Sequence, residues 1–452
     1  MRFRRLSLTL ALAACARTTS GPAPAPDLRD AGPGVDAAVP PAAVASAAVD
    51  AGPPQLEADG NDDAEEPGTG SAPREGRWVA AGTPPLALTR ICDLTPLDGA
   101  LYAAHANQPL GTDGATITRY RPGATPAFSV AFDWNRPGEP TKGGGAGQGF
   151  VRAHAIDGRL YVPDADPPYG GLQQVDWGTE GYVFVSDAAG KFAPTRAPHF
   201  RPPATAAVLP RAYHVLDVVR FRGSLYASTG SVPPKEQAWR GPSPGALHRA
   251  NADGTRWLYD YDYPNPYQNG VWRLTFMTRF KDRLYAGIQD YDGRDPNDFI
   301  VFTPAREATS IAREDAHPTR ITPHGASGTL RWWVDTQASP HRLYWLAYTR
   351  EGIALRTTTD GDTWRVVPVP AEAGRPTDIT RFRDATVVLT ERGLWRLGDD
   401  DTMTPIALVD TGGKKKSPFE LSDFLCAAPL AVLEGTLYAG GQRGGTLYRL
   451  EE

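Results

Sequence analysis

Three cysteines and three methionines in 452 residues exclude a disulfide-dense scaffold and leave little for a thiolate metal site. Histidine is scarce at eight, and His105, His154 and His214 share neither a register nor a metal-ligand spacing, which argues against a transition-metal centre. The apolar run Leu6–Ala14 is nine residues, too few to cross a bilayer. No long amphipathic helical period appears after residue 77, and Gly 47 with Pro 43 suit short strands and turns better than helices. Excess charge of one sign is also missing. The net charge of −5 arises in the acidic segment 16–76, so residues 77–452 are near neutral and offer nucleic acid no electrostatic footprint.

What the chain has in quantity is a repeat. The stretch FRGSLYASTG from Phe221 recurs as LDGALYAAHA from Leu97, IDGRLYVPDA from Ile156, FKDRLYAGIQ from Phe280, SPHRLYWLAY from Ser339, FRDATVVLTE from Phe382 and LEGTLYAGGQ from Leu433. Leu101 to Leu437 spans six steps of about 56 residues, a period of stacked or radial repeat architectures. Polar pairs such as Asp98-Gly99, Asp157-Gly158 and Arg222-Gly223 between apolar runs are hairpin turns, because Asp and Gly accept the positive φ such turns need. A second strand pair follows each hairpin, as in GALHRANADGTRWLYDYD from Gly245, which makes four strands per repeat.

Arg2, Arg4 and Arg5 before an apolar run ending in Leu12-Ala13-Ala14-Cys15 resemble a bacterial lipoprotein signal peptide with its lipobox. The resemblance implies that residues 1–14 are removed and that Cys15 is lipidated, anchoring the chain to a membrane of the cell envelope. By likeness to Gram-negative lipoproteins, Ala16 after the Cys favours the outer membrane. The alternative is a plain secretory signal with Cys15 incidental. Residues 15–76, rich in Ala, Pro, Gly and Asp, cannot bury enough apolar surface to order themselves and are expected to form a disordered tether.

The turns at 251–257 and 358–364, each Asp-Gly followed by Trp257 or Trp364, resemble the Asp-box turns of β-propeller blades, one residue short of the usual box. The last repeat stops after its third strand at Gly445–Leu450, and Gly76-Arg77-Trp78-Val79 reads like the outer strands of other repeats. An N-terminal strand completing the last blade would close the ring and remove unpaired edges. The expected fold is therefore all-β: a seven-bladed β-propeller of four-stranded antiparallel blades over residues 77–452. An open solenoid is the alternative, and it lacks capping repeats. Ring closure would make the blades of Cys92 and Cys426 neighbours, so a disulfide between them is one reading and two buried thiols that never meet the other.

Six residues before each hairpin Gly or its equivalent stand Asp93, Asp217, Asp335 and Asp378, with Arg152, Phe276 and Pro429 in the other blades. Two readings apply. These carboxylates accept backbone amides or pair with Arg to hold blades together, or they ring the channel mouth and hold a cation or polar ligand with His214 and His154. The longest connections, 103–115, 132–150, 163–180, 228–244, 259–270 and 289–298, fall on one face and carry Tyr261, Tyr263, Tyr267, Tyr291 and Asp292. Aromatics interleaved with acids suit a glycan, a peptide or an envelope-protein partner. Asp290–Asp295 hints at calcium but lacks the Gly spacing and closing Glu of an EF-hand; no other cofactor is expected.

Several motifs fail on context. Gly241–Gly245 matches a nucleophile elbow, yet prolines flank Ser243 and no helix follows. The glycine run 143–149 precedes a strand and offers a phosphate no helix N-terminus. No arginine cluster with a Tyr and Glu pair supports a sialidase. The reading is a membrane-anchored, monomeric binding or scaffold propeller acting through its long-loop face. The alternatives are a glycan-acting hydrolase or lyase at the channel mouth and a structural envelope protein.

Overall fold

The computed structural model describes residues 58–60, 67–106, 115–134, 149–165, 180–192, 206–210, 212–231, 245–251, 254, 257–263, 272–290, 295–306, 308, 310–409, 416–421 and 425–452. Cys15, Tyr267, Tyr291 and Asp292 lie outside them, as does most of the 251–257 turn.

Among the described residues, twenty-eight strands form seven four-stranded antiparallel sheets. The first blade is β2 (Arg90–Leu97), β3 (Ala100–Ala106), β4 (Thr116–Tyr120) and β5 (Phe128–Asp133). The second is β6 (His154–Ile156), β7 (Arg159–Pro163), β8 (Glu180–Val185) and β9 (Ala206–Pro210). The third is β10 (Ala212–Phe221), β11 (Ser224–Ser231), β12 (Gly245–Ala250) and β13 (Trp257–Asp262). The fourth is β14 (Trp272–Phe280), β15 (Arg283–Asp290), β16 (Phe299–Phe302) and β17 (Ala316–Thr319). The fifth is β18 (Ala326–Asp335), β19 (Arg342–Thr349), β20 (Gly352–Thr358) and β21 (Arg365–Val366). The sixth is β22 (Pro376–Phe382), β23 (Ala385–Thr390), β24 (Gly393–Leu397) and β25 (Met403–Leu408). The seventh joins β26 (Leu430–Leu433), β27 (Thr436–Gly440) and β28 (Leu447–Glu451) to β1 (Arg77–Gly82) from the other end of the described chain.

Each blade's first strand touches the first strand of the next, and the series closes where β26 meets β2. β1 pairs antiparallel with β28 from Arg77 opposite Glu451, and Trp78 packs edge-on to Phe419 at 5.3 Å. The fold is thus a closed seven-bladed β-propeller, and β1 covers the edge that β28 would otherwise expose. Cys92 in β2 and Cys426, just ahead of β26, are disulfide-bonded across the same junction.

The Leu-Tyr pair explains the period. Side chains alternate across a strand, so Leu and Tyr enter opposite faces of the blade. Leu101, Leu160, Leu225, Leu284, Leu343 and Leu437 are fully buried, and the adjoining tyrosines nearly so. Each such burial stabilises the ring by about 1.5–3 kcal/mol. The tyrosines also explain a set of glycines. A Cβ on Gly190 would stand 2.3 Å from the Tyr102 hydroxyl of the preceding blade, and one on Gly361 would stand 2.4 Å from that of Tyr285. Both glycines have positive φ, so the outer turn needs glycine twice over. In the turn after β20, the Asp360 carboxylate accepts the amides of Asp362 at 2.8 Å and Thr363 at 2.7 Å, while Trp364 packs near Phe299.

Composition alone assigned residues 15–76 to a tether, yet 58–60 and 67–76 lie against the propeller. Gly60 forms a backbone bridge with Arg279, Arg383 donates its amide to Pro67 O at 2.5 Å, and Ala72 donates to Asp384 at 2.8 Å. Polar backbone bonds and the buried Ala72 hold this segment without the large apolar residues that composition would require. Its contacts fall on the face of the first-to-second-strand turns, which are tight in most blades: Asp98 and Gly99 have φ of 49° and 66°.

Candidate functional site

The axis is lined by the beginnings of the first strands, and their charged side chains meet there. Asp93 Oδ2 accepts the amide of Ala153 in the next blade at 3.1 Å. Asp217 Oδ2 does the same for Met277 at 2.6 Å, and Asp378 Oδ2 for Leu430 at 2.7 Å. Each of these three carboxylates therefore bonds its own blade to the one that follows. This geometry matches the reading in which the aspartates hold blades together.

Asp335 does not belong to the set. Leu343 on β19 pairs with Val334, and the residue opposite Leu346, three further on, is Arg331; the corresponding partner of Ala104 in the first blade is Asp93. Arg331 is therefore the register equivalent of Asp93. Counting back from the turn failed because residues 336–341 intervene between β18 and β19, where other blades have a two-residue turn. Asp335 sits at the opposite end of its strand, ion-paired with Arg381 at 2.9 Å and accepting from Thr386 at 3.0 Å.

The displaced register puts a guanidinium among the carboxylates. Arg331 Nε lies 2.8 Å from Asp378 and its Nη1 3.2 Å from Asp93. Arg152 lies 3.8 Å from Asp93, stacks 3.6 Å over the Phe276 ring and donates to Leu330 O at 2.9 Å. His154 Nε2 bonds Asp217 Oδ1. Burial raises the Asp93 carboxyl, but Arg152 and Arg331 outweigh it and hold the group below the usual range. For Asp378 burial wins over Arg331 and the two amides, and its carboxyl lies above that range. Burial, then Arg331, brings the Arg152 guanidinium down to about 10. A pure carboxylate ring able to take a cation is not what the residues build; acid and base alternate and offset one another.

An axial cavity of 290 Å³ is lined at one end by this ring, with Asp93, Arg152, Asp217, Arg331 and Asp378 in its wall, and extends past Trp332 and Val334 to His341 and Ala58–Gly60 on the hairpin face.

On the other face, His214 is buried at the start of β10, its Nδ1 2.6 Å from Ala165 O and its Nε2 2.8 Å from Arg273. Burial and then Arg273 hold the imidazole well below its usual pKa, so it is a neutral linker between blades. Tyr261 and Tyr263 are not exposed loop anchors. Tyr261 is part of β13, which runs further than the turn signals suggest, and its ring meets Phe302 at 5.1 Å. Tyr263 is buried, donates to Asp295 at 2.6 Å and accepts from Asn297 at 3.1 Å. Burial raises the Tyr261 hydroxyl to about 12, and burial with Asp295 raises that of Tyr263. Both tyrosines cement the third blade to the fourth.

Sequence reasoning missed Arg331 and the cap at 58–60. The apolar run Leu330–Val334, followed by the polar stretch Thr336–His341, carried the signal for the first. The second has no apolar signature at all.

No protein-family model and no curated protein sequence matches the chain. Among solved structures it is similar to a catalytically inactive virginiamycin B lyase from Staphylococcus aureus with quinupristin, at 9% identity over 84% of this chain and 100% of that one, TM-score 0.49. It is similar to the WD40 β-propeller domain of Doa1 at 10% identity over 83% and 97% of the two chains, TM-score 0.42. A third similarity is to an α-L-arabinofuranosidase from Fusarium graminearum with an iminosugar inhibitor, at 10% identity over 84% and 98%, TM-score 0.36. These likenesses concern the fold, and no residue role is carried over from them.

Proposed function

We propose that the chain is a lipid-anchored binding scaffold of the cell envelope, tethered through Cys15, whose propeller recognises a ligand or partner through the face on which the first strands begin. The observation that carries this reading is the inequality of the two faces. On the hairpin face the first-to-second-strand turns are two residues in six blades, the third-to-fourth connections are long only at 186–205 and 303–315, and part of the surface is taken by residues 58–60 and 67–72. On the other face the connections between second and third strands are long in the first four blades, at 107–115, 164–179, 232–244 and 291–298, and fall to 350–351 and 391–392 in the fifth and sixth. Recognition concentrates on long connections held by a rigid frame.

The alternative of a glycan-acting hydrolase or lyase needs an acid pair at liberty to move protons. Asp93, Asp217 and Asp378 spend acceptor capacity on backbone amides instead, which supports the binder. The reading is tested by shortening connection 232–244 and, separately, 164–179 in the full chain and measuring retention on glycan and peptide arrays. Loss of a binding signal with an unchanged melting temperature supports it; signals from ligands other than Asp-Gly peptides that survive both deletions and vanish on a change at the hairpin face would overturn it.

A further inference from the structure

Residues Ala58–Gly60 sit on the hairpin face of the fourth and fifth blades as a bound peptide would. Gly60 donates to Arg279 O at 2.7 Å and its carbonyl accepts the Arg279 amide at 3.4 Å, so the segment adds to the end of β14 in the manner of a short extra strand. Ala58 O accepts from Arg279 Nε at 3.1 Å. The same guanidinium donates through Nη1 to Arg220 O at 2.7 Å, which fixes it in place before any peptide arrives. The Asp59 carboxylate is clasped from two sides, by the Lys281 amide at 2.8 Å and by His341 Nδ1 at 2.8 Å. Gly60 has φ of 99°, a conformation that favours glycine.

The clasp is built by the one hairpin that departs from its siblings. His341 ends the 336–341 insertion of the fifth blade, and without that insertion no side chain would face Lys281 across the carboxylate. The segment also lies at the mouth of the axial cavity, whose lining includes Asp59, Gly60, Thr336 and His341. Acid followed closely by glycine recurs upstream, in Asp30-Ala31-Gly32 and Asp50-Ala51-Gly52.

We propose that this part of the hairpin face is a recognition groove for an extended acidic peptide carrying Asp-Gly, occupied in the free chain by its own residues 58–60, which cap the axial cavity until a peptide of the same chemistry displaces them in trans. A carboxylate bound by a main-chain amide and an imidazole, next to a glycine in left-handed backbone, defines the chemistry: Asn removes the charge, and a side chain in place of glycine strains the backbone.

The probe is the labelled peptide acetyl-Leu-Glu-Ala-Asp-Gly-Asn-amide, titrated against the intact full chain and against the full chain carrying Asp59→Ser and Gly60→Ser. The expected result is binding to the emptied chain at least about tenfold tighter than to the intact one, with a further loss of about tenfold when the peptide Asp is replaced by Asn or when His341→Ala is added. Equal binding to both chains, or equal binding of the Asp and Asn peptides, would overturn the proposal. Hydrogen exchange provides the second readout. The Arg279 and Lys281 amides should exchange faster in the emptied chain and regain protection with peptide; unchanged exchange in the emptied chain would also overturn it. Neither readout involves the long-loop face, so failure here leaves the proposed function standing.

Discussion

Cys92 and Cys426 are bonded to each other across 334 residues of sequence, and the bond ties the first blade to the last, whose outer strand β1 joins β28. Two links, one covalent and one a strand pairing, hold the ring shut. A disulfide closing so long a loop restricts the unfolded chain strongly, by about 4 kcal/mol or more in the chain-entropy picture. The variant Cys92→Ala with Cys426→Ala should therefore melt lower by about 5 °C or more, and removal of residues 1–82 should do the same by exposing the edge of β28. Removal of residues 1–56 should leave the melting temperature within about 2 °C. Scanning calorimetry distinguishes these outcomes.

The inter-blade carboxylates should behave as structural groups. Asp217→Ala removes the acceptor for Met277 N–H and the partner of His154 together, and should cost about 3 kcal/mol or more in urea unfolding. Asp335→Ala, at the other end of its strand, should leave the axial contacts intact. Amide exchange at Met277 measured on both variants separates the two positions.

Tyr263→Phe deletes one hydroxyl that donates to Asp295, and should lower stability by about 1–2 kcal/mol with the fold intact. An unchanged urea midpoint would return Tyr263 to the surface.

Stability should fall as pH drops below 6.5. His105 is buried and neutral, bonded to Arg90 O at 2.9 Å and Thr118 at 2.8 Å, and burial lowers its pKa from 6.5 to about 4. Below pH 6.5 the unfolded chain takes up a proton that the folded one refuses, so stability is full above that value and is lost between 6.5 and about 4. At pH 5 this one group costs about 2 kcal/mol, and His105→Gln should reduce the decline by that amount. His214, also lowered, acts in the same direction.

The architecture was legible because the repeat states it several times over. Leu-Tyr pairs and Asp-Gly turns recur in register, and Trp78 has the look of an outer strand, so blade number and closure could be read without a structure. Side-chain roles were less legible, for local reasons. Asp335 lost its register to an insertion that preserves the Leu-Tyr pair on either side of it. Tyr261 and Tyr263 look like loop residues until β13 is seen to continue past the polar turn before it. The cap at 58–60 is held by backbone and carboxylate bonds alone, which hydrophobic patterning does not register. Gly361 serves a tyrosine of the preceding blade, a relation between positions 76 residues apart that only the packed ring creates.

Anchoring through Cys15 has a simple test. Cys15→Ser should move the protein from the membrane pellet to the soluble fraction, and a variant that stays in the pellet would contradict lipidation at that residue.

The assignment of recognition to the long-loop face is tested most directly by site-specific photocrosslinking of the full chain in envelope fractions. A photoreactive residue would replace Tyr267, between β13 and β14, or Tyr291, between β15 and β16, or Asp157 in a hairpin turn. The expected result is a discrete crosslinked species from Tyr267 and Tyr291 and none from Asp157. Crosslinks from Asp157, with Tyr267 and Tyr291 silent, would contradict it.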